Sequence, residues 1–267
     1  MPESQRTSSR GHSLPVASRR PSRGVLFAGL VAATLAAASP ARAQGSGDGF
    51  LFRRPIGGLL VHGGFASPTS SGDLYSFLTN QFTLSKGDFS APAFGADLLL
   101  RVAPRLDLAF GAGISGSRKV SEFRHFLDLN NLPIQQTTSL VRVPLTAGAR
   151  LYLAPRGRSI GEFAWIPTRI VPYVGAGGGM MWYRFRQTGD FIDFQTTDVF
   201  PDAFQSRGWT PTAHALAGVD YSLNPRFALN GEARYTWAKG RLSDDFTGFH
   251  GIDLSDIGIN FGLNVRF

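Results

Sequence analysis

The chain has 267 residues, 27 Lys and Arg against 19 Asp and Glu for a formal charge of +8, and no cysteine. The missing thiols exclude a disulfide framework, a thiolate metal site and a cysteine nucleophile. The charge is misleading: residues 1–43 hold six of the basic residues and one of the acidic ones, so 44–267 keep 21 against 18, or +3, with no dense basic stripe for phosphate backbones. No nucleic-acid partner is expected.

The first segment reads as a leader. Arg6, Arg10, Arg19, Arg20 and Arg23 face a single acid, Glu3, and precede the apolar run from Gly24 to Ala38. Ala41-Arg42-Ala43 then presents small residues at the two positions a signal peptidase reads, which predicts a signal peptide over 1–43 and export. The apolar run is about 15 residues, short of the roughly 20 a spanning helix needs. The Arg19-Arg20 pair lacks the apolar residue that a twin-arginine signal wants soon after it, so general secretion is expected.

Beyond the leader, period-two alternation dominates. Candidate strands fall at 56–66, 92–102, 106–118, 139–153, 169–186, 210–223, 226–238 and 255–267. In the second, Phe94, Ala96, Leu98, Leu100 and Val102 share one face and Asp97 and Arg101 the other; in the fourth, Val141 to Leu153 alternate with Arg142, Thr146 and Arg150. The fifth is the least regular, because Val174 to Met181 is mostly glycine and apolar. In the seventh, Phe227, Leu229, Gly231, Ala233, Tyr235 and Trp237 oppose Asn230, Glu232, Arg234 and Thr236; in the eighth, Ile257 to Phe267 alternate with polar residues and glycine.

The connections alternate too. Ala103-Pro104-Arg105, Ala154-Pro155-Arg156 and Asn224-Pro225-Arg226 recur at every second link, the middle one opening a longer link, whereas 67–91, 119–138, 187–209 and 239–254 read as long loops. A bilayer core forces backbone polar groups to pair internally, which a closed barrel achieves. The prediction is therefore all-β: an eight-stranded antiparallel transmembrane up-and-down β-barrel over 44–267, with short periplasmic turns, long extracellular loops and both ends of the barrel at the periplasm. Trp182, Tyr183, Phe185, Trp209, Tyr235 and Trp237 are expected to form one interfacial girdle, and Tyr152, Tyr173, Tyr221, Phe227 and Phe267 the other.

The final residues, Asn260-Phe261-Gly262-Leu263-Asn264-Val265-Arg266-Phe267, resemble the C-terminal assembly signal of bacterial outer-membrane proteins, whose constrained positions match Asn260, Gly262, Val265 and Phe267. With Tyr173-Val174-Gly175-Ala176-Gly177, they give the chain a resemblance to the OmpA/OmpX/OmpW-like eight-stranded barrels. The resemblance implies the barrel assembly machinery, outer-membrane lipid and lipopolysaccharide as partners, a monomer, and a Gram-negative cell envelope. No peptidoglycan-binding domain follows the barrel, so an anchoring role is not implied.

An eight-stranded barrel is only wide enough to be filled by side chains. The inward positions predict a charge network of His62, Asp97, Arg101, Arg142, Arg150, His214, Asp220, Glu232 and Arg234, with Asp107 and Arg266 nearby, paired because burial forces it. It reads as a plug or, alternatively, as a gated pore or small ligand pocket. Leu74, Phe77, Leu78 and Phe82, after Ser71 or Asp73 as N-cap, stand at helical spacing and predict a short amphipathic helix on the bilayer surface, over the barrel mouth, or gathering hydrophobic solutes. His125 or His250 with Ser121, Ser243 or Ser255 are the candidates for a lipid A-modifying hydrolase, but no pair sits at a spacing one strand would hold together. The histidines show no metal-ligand spacing. No cofactor, no metal and no enzymatic activity are expected; the role is structural or surface-directed, with a conduit or binding site for small hydrophobic molecules second.

Overall fold

The computed structural model describes residues 51–127, 131–161, 164–193 and 199–267; the leader and its cleavage site lie outside them. Eight long strands run through the described chain: β1 (Gly57–Pro68), β2 (Ala91–Ala103), β3 (Leu106–Leu127), β4 (Pro133–Tyr152), β5 (Ile170–Ile192), β6 (Val199–Ser222), β7 (Phe227–Gly240) and β8 (Asp256–Arg266). Each pairs antiparallel with its neighbours in sequence, and β8 pairs with β1, so the sheet closes.

The register fixes the barrel's dimensions. A path of paired residues from Pro68 passes through Asp256, Thr236, His214, Gly177, Gly148, Ala109 and Leu99 and returns to β1 at Gly58, ten residues from its start. Eight strands with that stagger tilt by about 43° and enclose a radius of about 8 Å. Each residue then climbs about 2.4 Å along the barrel axis.

The outward face carries an apolar belt. Phe65, Phe94, Phe110, Leu145, Leu229 and Phe261 are all exposed, together with most outward positions between them. On β5 the belt runs from Ile170 to Trp182, about 29 Å along the axis, which suits the hydrocarbon thickness of a bilayer. Among the described residues no helix is long and apolar enough to cross a membrane.

The four middle strands outgrow the belt. β3 to β6 have 22, 20, 23 and 24 residues, whereas β1, β2, β7 and β8 have 12, 13, 14 and 11. Much of 119–138 and 187–209, expected as loop, is strand. Above the belt neither face has to meet lipid, so Thr and Gln occupy both faces and the apolar-polar alternation of the lower strand fades from the sequence while the hydrogen-bond ladder continues. The rim is therefore tall on one side and low on the other.

The low side is filled by helix α1 (Asp73–Gln81), which settles among the three expected positions over the mouth. Leu74, Tyr75 and Leu78 are fully buried against Phe123, Ile134, Leu140, Tyr183 and Phe185 of the tall wall and Phe246, Ile252 and Leu254 of the β7–β8 connection. This second hydrophobic core outside the belt explains why Tyr183 and Phe185 do not join the girdle: they point inward, as do Tyr152 and Tyr173. Trp182, Trp209, Tyr235 and Trp237 remain on the outer face at the loop end, and Tyr221, Phe227 and Phe267 at the turn end.

Candidate functional site: the barrel interior

The lumen is built in layers. At the turn end the β4–β5 link folds into a hairpin, Gly157–Ile160 with Ala164–Pro167, whose second strand also pairs with Leu51–Phe52. It lays Trp165, 1% exposed, beneath the lumen, with the Arg101 and Arg266 guanidiniums 6.0 and 5.8 Å from its ring centroid. Arg156, from the Pro-Arg turn, turns inward to Asp107 at 2.6 Å and lies 4.3 Å over the Tyr152 ring. Arg101, expected in the central network, belongs to this floor and makes no ion pair among the described residues. Its place two turns of the pleat below Asp97 puts it at the turn end.

The middle layer is a compact ion cluster. Arg150 lies 2.7 Å from Asp97 and 3.1 Å from Glu232; Arg234 lies 2.9 Å from Glu232 and 3.5 Å from Asp97. Two carboxylates thus share two guanidiniums, which neutralises charges that would be prohibitive alone when so deeply buried. The Tyr173 hydroxyl donates to Glu232 at 2.9 Å, and the Asn230 amide donates to Tyr173 and to Asp220, both at 2.8 Å, linking the cluster down towards Tyr152. Space for these long side chains comes from Gly111, where a Cβ would run into the Asp97 carboxylate.

Above the cluster is a cavity of about 80 Å³, lined by His62, His214, Arg142, Arg234, Thr146 and Asp256 among others. His62 Nε2 sits 3.6 Å from Asp97, and the Nδ1 atoms of both histidines are buried with no partner among the described residues. At roughly 10–15 Å³ for each water, the cavity is roomy enough for several, and its polar lining suits them. Gly177 faces His214, whose ring would be 2.8 Å from an added Cβ. Arg142 closes the cavity from above, bonded to Asp256 at 2.6 Å and to the Leu254 carbonyl at 3.3 Å.

The cap is locked by carboxylates. Asp253 accepts from the Thr69 hydroxyl at 2.6 Å, from the Ser71 amide at 3.2 Å and from the Ser71 hydroxyl; the Tyr75 hydroxyl donates to the Asp253 carbonyl at 2.9 Å. Partial burial pushes the Asp253 carboxyl up, but the bonds from Ser71, Thr69 and Ser255 outweigh it and hold the group below its ordinary range. On the surface the His250 ring and amide bond Asp73, at 2.8 and 3.0 Å, and hold it at about 2. Lys119 and Ser85 do the same for Asp88, also at about 2.

Eight strands closed with a stagger of ten, an apolar outer belt and a polar filled lumen decide the architecture. It has the fold of a small outer-membrane β-barrel. No protein-family model and no curated protein matches the chain. Among solved structures, the barrel is similar to Neisserial surface protein A, NspA, at 14% identity and a TM-score of 0.42, covering 79% of this chain and 97% of that one. It is similar to the outer membrane protein OprG from Pseudomonas aeruginosa at 15% identity and a TM-score of 0.38, over 80% and 98% of the two chains. The outer membrane protease OmpT from Escherichia coli has 10% identity and a TM-score of 0.38 over 82% and 98%.

Among the described residues no candidate hydrolase histidine is hydrogen-bonded to a candidate serine. His125 is exposed on β3, while Ser121 on the same strand is buried and hydrogen-bonded to the Gln136 carbonyl. Ser243 donates to the Gln205 carbonyl and Ser255 to the Ala238 carbonyl, and His250 pairs with Asp73. At the closing strand, Gly262 pairs with His62 and Val265 with Leu59, Asn260 points inward opposite Gly64, and the Phe267 carbonyl accepts from the Ile56 and Gly57 amides. Tyr173, Asn230, Tyr152, Arg156 and Asp256 belong to the interior and were not in the sequence-derived network. Parity would have found Asn230, two residues from Glu232, and Asp256, paired with Thr236 of the same face; Arg156 lies in a turn, where parity does not apply.

Proposed function

We propose that the protein is an integral outer-membrane barrel, exported through a cleaved leader at 1–43, whose sealed lumen makes it a structural or surface-interacting element and not an enzyme or an open pore. The observation that carries this is the stack of Trp165, the Asp97–Arg150–Glu232–Arg234 cluster, the Arg142–Asp256 pair and the α1 cap along one narrow lumen. The C-terminal strand would engage the assembly machinery, and the finished barrel would sit in lipid as a monomer. The test is to refold residues 44–267 in detergent, compare gel mobility with and without boiling, and then measure ion leak from liposomes. A boiling-dependent shift with negligible leak is expected; steady conductance of small ions would overturn the sealed reading.

A second reading, passage of a small hydrophobic molecule sideways into the bilayer, is favoured by one break in the wall. Between β3 and β4 the ladder holds Ala112↔Leu145 and Ser115↔Arg142 but skips the residues between, where Pro144 has no amide hydrogen to give. The cavity lining continues there to Phe94 and Ile114 on the outer face. Uptake of a fluorescent apolar probe into proteoliposomes, slowed by Gly113→Val, would favour this reading; uptake no faster than in protein-free liposomes would remove it.

A further inference from the structure

Just above the aromatic belt on the tall side, the sheet brings cations together with no carboxylate of the described residues ion-paired to them. Trp182 lies directly opposite Trp209, and at the next outward positions Arg184 lies directly opposite Arg207. One register higher, Arg118, Ser139, Arg186 and Gln205 form a continuous row across β3 to β6. Directly opposed side chains on a sheet have Cβ atoms about 5 Å apart, so like charges there repel. The four arginines are exposed, and none forms an ion pair with a carboxylate of the described residues. The acids nearby are engaged or higher: Glu122 accepts from Gln135 at 3.1 Å, Asp245 accepts from the Gln205 amide at 3.0 Å at the end of the row, and Asp190 lies two outward positions above Arg186 towards the hairpin tip.

We propose that Arg118, Arg184, Arg186 and Arg207 form a binding site for the phosphate groups of a membrane lipid headgroup in the outer leaflet. The patch is about 14 Å wide and 7 Å tall. It meets the belt without a gap, and the Arg184 guanidinium lies 6.0 Å from the Trp182 ring centroid. An acyl chain packed on Pro172 to Met180 would therefore carry its headgroup to the arginines, whose forked donors match phosphate oxygens. Continuity with the lipid-facing surface is what selects a lipid over a free anion. On β6 and β7 as well, the first charged outward residue above the belt is basic, Arg207 and Lys239, so the ring of first charges there has one sign.

The inference rests on the outer-membrane reading, and the experiment separates the two. Detergent-solubilised protein is mixed with bisphosphorylated lipid A, with the same lipid stripped of phosphate, or with inorganic phosphate, and bound lipid is counted by native mass spectrometry. The expected result is retention of the phosphorylated lipid, weakened about tenfold or more by Arg184→Gln with Arg207→Gln, and unchanged by Arg105→Gln with Arg226→Gln at the turn end. Equal retention of the stripped lipid, or undiminished binding by the first pair of substitutions, overturns the site. Full displacement by millimolar inorganic phosphate overturns the commitment to a lipid. Each variant is checked by its boiling-dependent gel shift, and a double variant that lost it would be replaced by the two single ones, for which the same direction is expected. Absence of the shift in the unsubstituted protein would instead sink the barrel reading, and this inference with it.

Discussion

Arg150 shows what a single side chain does in so narrow a lumen. It is 1% exposed and stands between Asp97 and Glu232, so its removal leaves two buried carboxylates with Arg234 as their remaining guanidinium partner. Arg150→Met is expected to destabilise the barrel by roughly 3–5 kcal/mol, read as a lowered urea midpoint for unfolding from lipid-detergent micelles; an unchanged midpoint would mean that Arg234 alone holds both acids. Asp73 is the exposed counterpart. Its folded value, about 2, lies below its ordinary 3.8, so what its bonds to His250 contribute is complete above about 3.8 and is lost as pH falls through about 2. In His250→Ala a carboxyl carbon NMR titration should show the Asp73 midpoint rising only part of the way to 3.8, because the backbone amide of residue 250 still donates. At this scale most charged members of the interior strands were legible from parity, while Tyr152 and Tyr173 were not: an aromatic near a strand end looks the same whether it faces headgroups or lumen, and only the ring of neighbours decides.

Helix α1 illustrates how an element is placed by what surrounds it. Its apolar spacing was readable, yet Gly72 provides no side-chain cap, and the partners that bury Leu74, Tyr75 and Leu78 come from strands far away in sequence. Leu78→Ala should cost about 2–5 kcal/mol locally. Hydrogen exchange of residues 73–90 is expected to rise sharply while the amides of the belt strands stay protected, and equal loosening of both would show that cap and barrel unfold as one unit. The strands divide along the same line. Where lipid lies on one face and the lumen on the other, as in 227–240 and 256–266, alternation is strict and the sequence was readable. Where β3 to β6 continue into water, the ladder is held by backbone bonds that composition does not report. The Trp165 hairpin was hidden for a related reason: its four-residue strands are too short to show a period.

For the molecule as a whole, the consequence is redundancy of closure. Floor, ion cluster and cap each obstruct the same narrow lumen, so deleting residues 73–90 alone, or Trp165→Ala alone, should leave liposome leak near background. The two changes combined with Arg150→Met should raise it. A leak produced by the cap deletion alone would mean that the interior salt bridges do not block ions. The resemblance carried by the last eight residues, the alternation and the Pro-Arg turns had together implied the closed eight-stranded sheet; how the lumen is filled depended on contacts between strands that no single segment encodes.

The cap also sets an order of events in the making of the barrel. Tyr75 and Leu78 come from the β1–β2 connection, Phe123 and Ile134 flank the β3–β4 connection, Ile192 precedes the β5–β6 connection, and Phe246, Ile252 and Leu254 belong to the β7–β8 connection. All four outer hairpins must therefore have been carried across the bilayer before their apolar residues can find one another. Until the last arrives, the growing sheet has a floor and walls but no lid, and its greasy tips pass through an environment that welcomes them only briefly. Capping is then the final act of biogenesis, distinct from insertion, and a chain halted between the two would be embedded, resistant to extraction and still open to attack by protease from outside.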